Sequence, residues 1–189
     1  MCDSEGPPVG LSDALALLDR ALDHLNAADA ASLPASVQAE ALRALGRAEA
    51  KHAAARARVL GAFAVQRGFE DDGHGTARTW LKWQTRVTYG AAAAAVASAR
   101  RLAAHPAIHQ ALADGELSPS WARQICEWTE RLPEDRRGDA DEILAGAARG
   151  GADLAALAGL AQEMYERSYR DSEEPEDGFE DRWFRLGIT

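Results

Sequence analysis

Histidines, cysteines and carboxylates are the side chains that could carry chemistry here, and their spacing assembles few sites. His105 and His109 stand four apart, a spacing that places two metal ligands on one helix face. Pro106 lies between them, however, so His105 is expected to precede the helix, and no cysteine or further histidine lies near in sequence to complete a site. His24 and His52 fall inside helical patterns as ordinary surface or core residues. Cys2 and Cys126 are too far apart for a zinc knuckle or a disulfide framework. Gly73-His74-Gly75 is too short to cradle phosphates, and no Gly-rich phosphate loop, His-Glu-x-x-His pair or nucleophile elbow occurs. The carboxylates single out no acid/base pair. The residues predict a chain without catalytic, cofactor or metal site.

Charge is more informative. The net charge of −9 conceals a segregation: residues 1–42 carry −6, residues 43–104 carry +7 and residues 105–189 carry −10. A basic centre between acidic flanks is either a phosphate-contacting surface, whose binding weakens with salt, or a set of arginines neutralised by carboxylates of the same chain or a second copy. Arg78, Lys82 and Arg86, then Arg100 and Arg101, lie in the outline of a helix-turn-helix: a short helix after Thr76, a turn near Arg86-Val87-Thr88, and a longer helix to Ala104. These five are the expected contacts to double-stranded DNA. A reading helix presents Arg, Asn or Gln to base edges, whereas Ala91 to Ala95 offers methyl groups. A second pair, Ala111 to Gly115 and Ser118 to Arg131, brings Arg123 and Gln124 beside expected core residues Trp121 and Ile125. The five tryptophans are expected to be core anchors.

Helices must position these groups. Of 189 residues, 42 are alanine, the best helix former, against six valines and four isoleucines. This predicts an all-α bundle of about seven helices, with a helix-turn-helix-like pair and a short C-terminal strand. Ser12 is expected to cap a helix carrying Leu15, Leu18, Leu22 and Leu25, and Ser36 to open a long one ending near Arg67, with Gly68 as the stop. Glu70 to Gly75 reads as a flexible acidic loop. Further helices follow from Tyr89, Pro106, Pro119 and Pro133, and the last runs from beyond Gly150-Gly151 to about Tyr169. The expected organisation is a disordered N-terminus (1–10), a helical domain (11–170), an acidic linker (171–181) and the start of a truncated strand (182–189). There is no apolar run long enough for a membrane span and no signal peptide, so a cytoplasmic protein with reduced thiols is expected.

The motifs Gly75-Thr76-Ala77-Arg78-Thr79-Trp80-Leu81, Ala99-Arg100-Arg101-Leu102 before Pro106, and Ala111-Leu112-Ala113-Asp114-Gly115-Glu116-Leu117-Ser118 leading into Trp121-Ala122-Arg123 resemble the bacterial family called domain of unknown function 222. The likeness covers roughly residues 35–189. In that family the helical domain typically lies N-terminal to an HNH endonuclease module. An HNH site needs two histidines and an asparagine on a ββα unit, and nothing in this chain supplies them. The resemblance therefore implies a non-catalytic accessory domain of an HNH-type DNA-processing or mobile-element protein, and a truncated member if the chain is complete. The competing expectation is a protein-interaction module in which the helix 36–67 pairs with a second copy, forming a homodimer without DNA contact.

Overall fold

The computed structural model describes residues 10–173, which form eight α-helices and no strand. The expected strand at 182–189, most of the acidic linker and residues 1–9 lie outside the described residues. The first three positions of that expected linker are helical, because α8 continues to Glu173. The chain divides into two units, Met1–Arg43 and Ala44–Thr189.

The first unit holds α1 (Leu11–Ala27), a 3-10 turn (Ala30–Ser32) and the start of α2 (Ala35–Val65). Gly10 rather than Ser12 occupies the N-cap of α1, and it offers no side-chain hydrogen bond. Asp29 caps the 3-10 turn by accepting from the Ala31 amide at 3.2 Å, and Gln38 Nε2 donates to the carbonyls of Ala30 and Leu33. No residue of α1 is buried.

In the second unit, α2 buries only Ala50, Ala54, Ala57 and Leu60, a four-three-three repeat that keeps one face inward. The helix stops at Val65. Arg67, not Gly68, takes the left-handed conformation (φ 57°), and Gly68 instead opens a 3-10 turn through Glu70. Phe63 lies against the site a Gly68 side chain would occupy, so any side chain there would displace the Phe63 ring. The following acidic segment is tied down: Trp80 Nε1 donates to Asp72 Oδ2 at 2.6 Å, and Phe63 packs on Trp80 with ring centres 4.6 Å apart.

The local signals behave as written for α3 (Ala77–Gln84), α4 (Tyr89–Ala104), α5 (Pro106–Asp114), α6 (Pro119–Thr129) and α7 (Glu134–Arg149). Thr76 accepts from the Thr79 amide in a reciprocal capping box, and Thr88 and Ser118 cap α4 and α6 through Ala91 and Trp121. Gly115 ends α5 at φ 78°, close against the Arg47 carbonyl of α2. Asp153 accepts from the Ala156 amide at the start of α8 (Leu154–Glu173). The eight helices correspond to the eight starts read from the sequence, one more than its rounded count of about seven. The core is centred on α5, α6 and α7, with α4 and α8 packed around them. Its fully buried large side chains include Ile108, Leu112, Ile125, Leu144 and Leu157, set among many alanines.

Candidate nucleic-acid interface

The α3–turn–α4 corner is fixed from inside and charged outside. Ala77 and Leu81 turn inward with Ala92 and Ala99 of α4, so the two helices pack through small side chains. Arg78 and Lys82, one turn apart on α3, are left on the exposed side. Arg78 Nη1 donates to the Tyr89 hydroxyl, and its guanidinium lies 5.2 Å from the centre of that ring. Lys82 Nζ stands 5.1 Å from the Trp83 ring centre. Trp83 is 66 % exposed and Tyr89 56 %. Trp83 is thus not a core anchor: at its position α3 has already turned its apolar face away. Trp80, Trp121 and Trp128 do pack against the core.

Arg86 occupies the turn in a left-handed conformation, φ 53°, costly for any side chain other than glycine's. Arg100 is exposed on α4, about 16 Å along the axis from Tyr89 at 1.5 Å per residue. It is therefore not part of the cluster at the corner. Arg101 differs from the other four. It is 27 % exposed, and its Nε donates to Glu130 Oε1 at 2.8 Å while Nη1 lies 3.5 Å from Glu127 Oε1. The bond to Glu130, reinforced by the charges of Glu130 and Glu127 against the opposing effect of burial, holds its pKa above the usual arginine value. This guanidinium is committed to carboxylates of α6 and its C-terminal end.

Across the basic segment the pattern is uneven in a useful way. Of its eleven basic side chains, only Arg67 and Arg101 meet a carboxylate among the described residues, leaving nine unpaired. Downstream the arginines are engaged: Arg123 with Glu127, Arg149 with Glu116, Arg167 with Glu163, Arg137 with the Leu132 carbonyl and Arg131 over the Tyr165 ring. Ion pairing with carboxylates thus holds Arg123, Arg149 and Arg167 among residues 105–173, and only Arg67 and Arg101 among the eleven cations of 43–104.

Sequence reasoning missed one polar cluster altogether. His105, 1 % exposed, links the end of α4 to α7: its Nδ1 lies 2.7 Å from Asp141 Oδ2. Thr129 donates to the other oxygen of Asp141 at 2.7 Å. On the far side, His105 Nε2 stands 3.9 Å from Glu130 Oε1, itself held by Arg101. A histidine oriented by an aspartate is also the arrangement of a general base, but this ring is 1 % exposed and its Nε2 is covered by Glu130, which stands at the surface. It works as a clamp between helices. His109, the other half of the sequence pair, turns to the Ala54 carbonyl at 3.2 Å, so the two histidines do not converge. Among the described residues no group of three or more histidine, cysteine or acidic side chains forms a metal site.

Cys126 sits in the same interior. Burial first, then the charge of Asp141, pushes its thiol up to about 12. At pH 8 its thiolate fraction is roughly 1,000-fold below that of an unperturbed thiol. In a Cys2→Ser background, the folded protein should therefore resist a disulfide reagent at pH 8 on the time scale of minutes and react at once in denaturant. Fast modification of the native chain would show that this interior is open.

No helix among the described residues is long and apolar enough to cross a membrane. In comparisons with family models, curated proteins and solved structures, nothing matches the chain, so its resemblance to a known family rests on the short motifs given above.

Proposed function

We propose that the chain is a non-catalytic helical accessory module that engages the phosphates of double-stranded DNA through its basic segment, in the context of an HNH-type DNA-processing protein. The observation that carries this reading is the charge pairing: nine cations of residues 43–104 have no carboxylate partner among the described residues, although the chain as a whole is acidic. Unpaired cations at this density repel one another, and a polyanion relieves that repulsion while releasing its own counterions. Arg78, Lys82 and Arg86 form the contact at the α3–α4 corner, and Arg100 adds a fourth charge. Arg101 leaves the contact set because Glu127 and Glu130 hold it. The HNH context comes from the motif resemblance alone. Exposed alanines along α4 offer no hydrogen bonds to base edges, so the contact is expected to be indifferent to sequence.

Fluorescence anisotropy with a labelled duplex tests this. Four phosphate contacts give a slope of about −3.6 in log affinity against log salt, hence roughly 100-fold weaker binding at 200 mM than at 50 mM. Reversing Arg78, Lys82, Arg86 and Arg100 to glutamate should abolish the salt-sensitive binding, and reversing Arg20 should leave it unchanged. Binding that ignores salt, or survives the fourfold reversal, overturns the proposal.

A further inference from the structure

Helix α1 has an apolar face that nothing in its own unit covers. Leu11, Leu15, Leu18, Leu22 and Leu25 follow one another at spacings of four, three, four and three, the a/d repeat of a coiled-coil seam. All are 41–70 % exposed, and no residue of α1 is buried. An isolated helix of 17 residues is marginal in water, because helices draw most of their stability from packing of an apolar face.

We propose that this seam pairs with the α1 seam of a second copy of the chain. The flanking positions favour that occupant. With Leu15 and Leu22 at a, the g positions are Ala14 and Ala21, and the e positions are Ser12, Asp19 and Asn26. Charges at e and g select a partner in coiled coils. Here one charge in five flanking residues neither repels a copy nor recruits an oppositely charged foreign helix. Recognition is left to the leucines, and a second copy presents the same leucines at the same spacing, as an isologous two-fold contact requires. Small alanines at g let the two backbones approach closely. The sequence alone places pairing on the helix 36–67, which also leaves Leu42 and Leu45 exposed, but only α1 carries five exposed leucines in one a/d register. The seam is about 21 Å long, short for a standard interface, so the dimer is expected to form at micromolar concentration. This inference is independent of the phosphate contact.

Analytical ultracentrifugation of the full chain between about 1 and 200 µM is the test, with far-UV circular dichroism confirming that each variant folds. The expected result is a concentration-dependent monomer–dimer equilibrium, abolished in Leu18→Glu/Leu22→Glu. Leu17→Glu, on an equally exposed leucine roughly a third of a turn away from the seam, should leave it intact. A monomer throughout the range overturns the inference. So does a dimer indifferent to the double substitution, or one disrupted equally by Leu17→Glu.

Discussion

Asp141→Ala is expected to destabilise the folded protein by about 2–3 kcal/mol, the upper part of the range for a buried polar group left without its partner. The carboxylate accepts from both His105 and Thr129, each fully buried. Its loss strands the His105 ring nitrogen, at the cost of that group's desolvation, whereas the Thr129 hydroxyl can still donate to the Ile125 or Cys126 carbonyl at 3.3 Å. The effect comes from orphaning the imidazole and not from a large net attraction within the cluster. A variant that removes all three polar groups, His105→Phe with Thr129→Val and Asp141→Leu, should therefore be more stable than the single substitution, because replacing a buried pair by apolar groups of similar volume is often close to neutral. Urea denaturation followed by circular dichroism measures both. A single-substitution loss below about 1 kcal/mol would show that the cluster does not hold α7 to the α4–α5 junction.

Ile125→Ala should cost about 4 kcal/mol, in the upper part of the 2–5 kcal/mol range for such truncations. Ile125 is wholly buried on α6, which contacts α4, α5, α7 and α8. The size of the loss depends on how far the surroundings can collapse into the new space. Here many neighbouring core positions are alanine, among them Ala111, Ala122 and Ala145, and a methyl group has no rotamer with which to reach inward. The hole therefore stays open. Ile125→Val, removing one methylene, should cost about 1 kcal/mol. Chemical denaturation with an unchanged m value checks both, and equal costs would show that the interior relaxes freely.

What could be read from the chain in advance divides by range of interaction. Thr76, Thr88, Ser118-Pro119 and Gly115 mark helix ends in the sequence because a cap bonds within three residues of itself, and all four stand where expected. Ser12 and Gly68 carry equally good local signals but lost to alternatives nearby: α1 starts two residues earlier than a Ser12 cap would place it, and Arg67 accepts the left-handed turn while Gly68 makes room for Phe63. The clamp was invisible for the opposite reason. His105 meets Asp141 across 36 residues and Thr129 across 24, and no periodicity links positions so distant. Trp83 shows how residue type misleads: tryptophan favours interiors, but one step past the inward face of α3 its ring is left outside. The candidate site was legible as a list of cations. That Arg101 would be withdrawn from it depended on Glu127 and Glu130, placed by a helix more than twenty residues away.

The backbone at Arg86 carries a consequence of its own. A side chain held at φ 53° costs about 1–2 kcal/mol that glycine would not incur, and the chain has 16 glycines in other places. Relief at this one residue is thus chemically simple, and it would delete a permanent positive charge from the tip between two helices. Conformational ease and the local electric field are in opposition at a single Cα, and the sequence settles the conflict on the side of the field.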